Sequence, residues 1–118
     1  MSHPLERTIT QIAECSQHLD TAITQLRQHL DDHRLAKVAY LVAEAKALLN
    51  SDGKNAEARR SDAVLKTEQH LNELMLAETN VTVCKERIRV LHAQLSALQT
   101  VARAEQSQWM AEPTGQWT

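Results

Sequence analysis

The chain has 118 residues and a mass of 13.3 kDa, enough for one domain and too little for two hydrophobic cores. Aromatic residues make up 3% of it, with no Phe, and it holds only two Gly and two Pro. This composition predicts neither a thick core nor a multi-stranded sheet. The formal net charge of −2 excludes a global basic field that would attract nucleic acid. We therefore expect an elongated, all-α protein.

Two further features narrow the expected location. No run of about 18 apolar residues is present, so we expect no membrane partner, and the first residues lack the pattern of a signal peptide. Cys15 and Cys84 lie inside helical patterns and lack metal-ligand spacing, which favours buried thiols in a reducing compartment. The sequence therefore predicts a cytoplasmic protein.

A first helical arm is predicted over residues 4–49, with Ser2 as N-cap and Pro4 in the first turn. Its apolar residues recur at heptad spacing and predict one neighbouring helix. These residues are Leu5, Ile9, Ile12, Leu19, Ile23, Leu26 and Leu30.

The apolar pattern slips at residues 31–34. The next apolar set is offset from the first and consists of Leu35, Val38, Leu41, Val42, Ala45, Leu48 and Leu49. A coiled-coil stutter or a short kink explains such a slip, and because no Gly or Pro is present we favour a continuous or gently bent helix. The many alanines of residues 36–47 leave room for another helix to approach closely.

Residues 50–55 combine Asx residues with Gly53 and predict a turn, after which Asn55 is a suitable N-cap for a second arm. This arm covers residues 56–105 without Gly or Pro. Its heptad positions are Leu74, Ala77, Val81, Cys84, Ile88, Leu91, Leu95, Leu98 and Ala102, with Leu65 and Leu71 leading in.

Two arms of matched length predict an antiparallel helical hairpin, a long coiled coil over residues 1–105, followed by a C-terminal tail over 106–118. With the turn centred near Gly53, apolar residues of the two arms face each other. The expected pairs are Leu41 with Leu65, Leu35 with Leu71, Leu26 with Val81, Leu19 with Ile88, Ile12 with Leu95 and Ile9 with Leu98.

A second apolar stripe on the second arm suggests self-association, because two helices alone cannot enclose a dry core. We expect this stripe to form the interface of a homodimer or a higher even oligomer, giving a four-helix bundle. The predicted oligomer interface consists of Leu76, Val83, Val90, Ala97 and Val101.

Candidate chemistry is sparse. No Gly-rich phosphate loop, nucleophile elbow or acid–base pair is found, so we predict no enzyme, no catalytic residue and no cofactor. His29 and His33 lie one turn apart, and the hairpin is expected to bring His70 and Glu73 near them. This spacing makes a metal-binding bundle a second alternative function, although we assign no metal ligand.

Basic residues form two short clusters that are the basis of a first alternative, a nucleic-acid accessory protein. The residues concerned are Arg59, Arg60, Lys85, Arg87 and Arg89. No aromatic residues accompany them to stack on bases, and nearby glutamates dilute their charge, which favours solvated helix faces instead. In the tail, Trp109 and Trp117 are candidates for docking on a partner or on the protein itself.

The turn residues 52–60 and the run 85–98 resemble small helical coiled-coil proteins of bacteriophages and prophages, over residues about 50–105. Such proteins are often encoded near recombination or replication functions. The resemblance implies an accessory protein in the cytoplasm of a bacterial host and supplies no catalytic residue. Our leading hypothesis is a non-enzymatic oligomeric protein that binds another protein, in recombination, replication or anti-defence.

Overall fold

The computed structural model describes residues 3–111, which form three α-helices and no strand. The helices are α1 (Pro4–Leu49), α2 (Ala56–Lys66) and α3 (Glu68–Ala111). The prediction of an all-α protein is confirmed. Ser2, the predicted N-cap, lies outside the described residues; the Leu5 N–H instead donates to Nδ1 of His3, at 3.0 Å.

Helix α1 runs through residues 31–34 without interruption, as expected. One set of its buried and half-buried residues is spaced alternately by three and four positions without a break, and so lies along one side of the helix. We call this set the seam of α1. The seam consists of Thr8, Ile12, Cys15, Leu19, Ala22, Leu26, His29, His33, Ala36, Tyr40, Ala43 and Ala47. Because this alternation continues past residue 34, the slip of the apolar pattern is not a stutter.

The turn between α1 and α2 is stabilised by local hydrogen bonds. Asn55 caps α2 by accepting from the Ala58 N–H at 2.8 Å, and the Ser51 hydroxyl donates to Asp62 at 2.9 Å. A Cβ on Gly53 would lie 2.7 Å from the backbone nitrogen of Arg59, so glycine allows the close approach of the turn to α2.

The second arm is divided at Thr67, where an unbroken helix was expected. Thr67 departs from helical dihedral angles, with φ −110° and ψ 7°. Its N–H and its hydroxyl both donate to the carbonyl of Ala63, at 3.0 and 2.6 Å, and the residue is buried. All nine predicted heptad positions from Leu74 to Ala102 are buried or half-buried, but Leu65 and Leu71 are exposed.

The chain divides into two compact units. The first comprises Met1–Thr24 with Glu86–Thr118, and the second comprises Gln25–Lys85. In the first unit the N-terminal part of α1 packs antiparallel to the C-terminal part of α3. Its core consists of Cys15, Leu19, Ala22 and Leu91, with Ile23, Ile88, Leu95 and Leu98 packed against it. The expected proximity of Leu19 and Ile88 is confirmed.

The second unit is also an antiparallel pair of helical segments, joined by the turn. His33 contacts Glu78, and Ser51 contacts Asp62. The expected apolar pairing at this end is wrong: Leu41 is 51% exposed and Leu65 is 73% exposed. Small side chains take their place in the contact, because the seam of α1 here presents Ala36, Ala43 and Ala47.

Helix α3 extends to Ala111, so residues 106–111, predicted to belong to the tail, are helical. Trp109 lies in this last part of α3. Its ring meets that of His3 edge-on, with centroids 5.9 Å apart.

Truncation of Leu19 tests the core of the first unit. Leu19→Ala removes a side chain that is 8% exposed and is expected to lower the free energy of unfolding by about 2–4 kcal/mol, because it leaves a cavity. Ile9→Ala is the matched control, since Ile9 lies on the same helix but is 54% exposed, and it should cost less than about 1 kcal/mol. Urea unfolding followed by circular dichroism measures both; equal losses would contradict the assigned core.

Candidate interaction surface

The side of α1 opposite its seam is apolar over residues 35–49. We call the residues on this side the α1 outward face, and all of them are exposed. Five of these residues are spaced alternately by three and four positions, and Leu41 and Leu48 lie beside them. Because an α-helix rotates by about 100° per residue, the seven side chains form one continuous surface. The α1 outward face consists of Leu35, Val38, Leu41, Val42, Ala45, Leu48 and Leu49.

The same side of α1 is polar in the preceding heptads. The positions equivalent to residues 35, 38, 42 and 45 carry only polar side chains before residue 35. They are Arg7, Thr10, Glu14, Gln17, Thr21, Thr24, Gln28 and Asp31. The helix therefore changes from a normal amphipathic pattern to a reversed one, in which the larger apolar residues face away from the partner helix. This reversal explains the apparent slip of the apolar pattern at residues 31–34.

Cationic side chains border the α1 outward face. Lys37 is one turn from Leu41, and Lys46 is one turn from Val42, so the two lysines lie along opposite edges of the surface. At the N-terminal end, Arg34 donates to Asp31 at 2.9 Å. The surface thus combines an apolar centre with a positively charged border.

Glu44 is the one acidic residue among residues 35–49, and it is engaged within the helix. Its carboxylate accepts from the Tyr40 hydroxyl at 2.8 Å, and this hydrogen bond to a carboxylate raises the pKa of Tyr40. Glu44 also lines an open depression with Leu48, Arg60 and Val64, so the apolar surface reaches α2 at this point.

The predicted oligomer interface lies on α3, and all five of its residues are exposed. Leu76 and Val83 belong to the second unit and are each 62% exposed, whereas Val90, Ala97 and Val101 belong to the first unit. Residues 76, 83, 90 and 97 are spaced by seven and therefore form a single row along α3, which we call the file. Whether this file is an interface stays a prediction.

The surroundings of this file change along α3. Residues 67–84 contain no Lys or Arg, and Glu73 precedes Leu76 by one turn. Beyond residue 84 the file is bordered by Arg87 and Arg89. We call the first part, formed by Met75, Leu76 and Val83 with Glu68 and Glu73, the α3 acidic face.

The basic residues of the nucleic-acid alternative are divided between the two units. Arg59, Arg60 and Lys85 belong to the second, and Arg87 and Arg89 to the first. Arg89 is paired within α3, where its guanidinium donates to Glu86 from Nε at 3.1 Å and from a second nitrogen. This pairing lowers the pKa of Glu86 and raises that of Arg89, so the positive charge of Arg89 is locally balanced.

The histidines of the metal alternative do not form the expected group. His33 contacts Glu78, with Nε2 and Oε1 3.4 Å apart, rather than His70 or Glu73. Within residues 3–111, no cluster of three or more His, Cys, Asp or Glu side chains has metal-binding geometry. His29 is in the seam, and its Nδ1 is buried without a hydrogen-bond partner among the described residues.

Both cysteines occupy seam positions, as their helical patterns indicated. Cys15 is buried, and its thiol donates to the carbonyl of Leu91 at 3.4 Å, while Cys84 is buried on α3. Each serves as a small apolar side chain in a helix contact.

The structure describes only one of the two tryptophans that were predicted to dock on a partner or on the protein itself. Trp109 packs against His3 within the first unit, which supports folding back onto the protein itself. Trp117 lies outside the described residues.

None of the helices in the described part of the chain has a stretch long and apolar enough to span a membrane. Comparison of the chain with protein-family models, curated proteins and solved structures finds no match.

The Glu86–Arg89 pair provides a local test of side-chain geometry. Because the guanidinium stabilises the carboxylate, we expect Glu86 to titrate at a lower pH than an unpaired glutamate. Arg89→Gln should raise this midpoint to the ordinary range, while Arg87→Gln should leave it unchanged. Carboxyl chemical shifts measured by NMR across the titration decide between these outcomes; a midpoint insensitive to Arg89→Gln would refute the pairing.

Proposed function

We propose that this protein is a non-enzymatic, homo-oligomeric interaction protein whose assembly depends on the α1 outward face. The observation that carries the proposal is the reversal of α1, which exposes the larger apolar side chains of residues 35–49. Isolated exposed leucines are common on monomers, but seven apolar residues on one helix face are typical of an interaction surface.

The energetics of the hairpin support this proposal. No large side chain among residues 3–111 is fully buried, so the two helical segments of each unit provide only a thin core. A further helix packed on the α1 outward face would remove several half-exposed leucines and valines from water. Each such side chain contributes on the order of 1 kcal/mol when its exposed half is covered.

The assembled protein would act by presenting helix surfaces to other macromolecules rather than by chemistry. The resemblance to phage coiled-coil proteins suggests an accessory role in recombination, replication or anti-defence inside a bacterial cytoplasm. Binding of another protein by the assembled form extends the proposal, and nucleic-acid binding is the weaker alternative because Arg89 is already balanced by Glu86.

A pair of charge substitutions tests the proposal. Val38→Glu with Val42→Glu places two carboxylates in the α1 outward face, and we expect it to convert an oligomer of the wild-type protein into a monomer. Multi-angle light scattering after size exclusion measures the mass, relative to 13.3 kDa for one chain.

The matched control lies three heptads earlier on the same helix. Gln17→Glu with Thr21→Glu introduces the same charges at the equivalent exposed positions, where the helix is already polar. This control should retain the wild-type mass. A wild-type protein that stays monomeric at high concentration, or equal effects of both variants, would refute the proposal.

A further inference from the structure

The second unit exposes apolar residues on two of its helices, and the charges around them have opposite signs. The α1 outward face is bordered by Lys37 and Lys46, and the α3 acidic face by Glu68 and Glu73. We propose that the α1 outward face of one copy packs against the α3 acidic face of a second copy. This inference rests on the proposed function and identifies the surface that covers the α1 outward face.

The charge pattern disfavours the simpler pairing of each face with itself. Two α1 outward faces brought together would place Lys37 and Lys46 of one copy near the same lysines of the other. Two α3 acidic faces would do the same with Glu68 and Glu73. Like charges brought together at an interface are unfavourable, whereas the mixed pairing sets lysines against glutamates.

The remaining part of the exposed file on α3 fits less well. Val90 and Ala97 follow the same steps of seven as Leu76 and Val83, but the cationic Arg87 lies one turn before Val90. A cationic α1 outward face therefore has a complementary surface only at residues 68–83. The apolar residues of the file are evenly spaced, so the surrounding charges determine which part of it can bind the α1 outward face.

The proposed contact joins two different surfaces and is heterologous. The α1 outward face lies opposite the seam of α1, and the α3 acidic face lies away from the buried and half-buried heptad positions of α3 from Leu74 to Ala102. Each copy therefore has one surface of each kind, on different helices. Repetition of such a contact produces a ring or an open chain rather than a closed two-fold dimer.

Complementation between two defective variants is the decisive experiment. The first variant, Val38→Glu with Val42→Glu, lacks a functional α1 outward face but keeps the α3 acidic face. The second, Leu76→Glu with Val83→Glu, has the opposite defect. Light scattering and native mass spectrometry are applied to each variant alone and to an equimolar mixture, with circular dichroism to establish that each is helical.

We expect each variant alone to be monomeric, with association weakened about 100-fold or more. The mixture should form a 1:1 complex, because the intact α1 outward face of the second variant meets the intact α3 acidic face of the first. Raising the salt to about 0.5 M should weaken this complex, since opposite charges border the contact. Val90→Glu with Ala97→Glu is the matched control on α3 and should associate like the wild type.

Three outcomes would overturn the inference while leaving the proposed function intact. A Leu76/Val83 variant that keeps the wild-type mass would mean that α1 outward faces pair with each other. Two monomeric variants that do not combine would exclude a heterologous contact. A control variant at Val90 and Ala97 that becomes monomeric would place the contact outside the acidic part of α3. A monomeric wild-type protein, in contrast, would refute the proposed function itself.

Discussion

The alternation of three- and four-residue steps along α1 and α3 is the constraint on which the rest of the structure depends. A helix that keeps this alternation presents the same side to its neighbour over its whole described length, whatever residues occupy that side. In α1 the alternation continues from Thr8 to Ala47 without a shift. The side chains of the α1 outward face must then point away from the partner helix because of their positions, even though they include the larger aliphatic residues of that segment.

The fixed seam has an energetic consequence that differs between the two units. The first unit fills its seam with Leu19, Leu91 and their neighbours, so its helices are held by ordinary apolar packing. After Leu26 and His29, the second unit fills the seam of α1 with three alanines, His33 and Tyr40. Small side chains bury little apolar area, so the second unit gains less from its own contact and leaves more apolar surface exposed. The exposed apolar surface and the weaker packing of the second unit therefore have the same cause, which is the placement of small side chains in the seam of α1.

Much of the fold could be predicted from the sequence, because the relevant signals are local. The bounds of α1, the turn at residues 50–55, the antiparallel arrangement and the heptad positions of α3 follow from spacing and turn residues. The division at Thr67 could not be predicted, because no Gly or Pro accompanies the change of backbone dihedral angles there. The extension of α3 to Ala111 was missed because a polar composition at residues 106–111 resembles a tail.

The α1 outward face was only partly predictable. Its residues form an apolar set in the sequence, but the register expected around Gly53 pairs Leu35 and Leu41 with residues of the other arm. Continuing the three- and four-residue steps that join Leu19, Ala22 and Leu26 places Ala36, Ala43 and Ala47 in the contact instead, and this signal is present in the sequence. Residues 35–49 contain two stripes, one of small residues and one of large apolar residues. Spacing within this segment alone does not determine which of the two faces the neighbouring helix.

The orientation of α1 in the second unit is tested most directly by intramolecular nuclear Overhauser effects. The measurement uses isotope-labelled chains diluted into unlabelled protein, so that only contacts within one chain are seen. We expect contacts from the methyl groups of Ala36, Ala43 and Ala47 to α2 and α3, and none from Val38 or Val42. Contacts from Val38 and Val42 to α3 of the same chain would show that α1 has the opposite orientation.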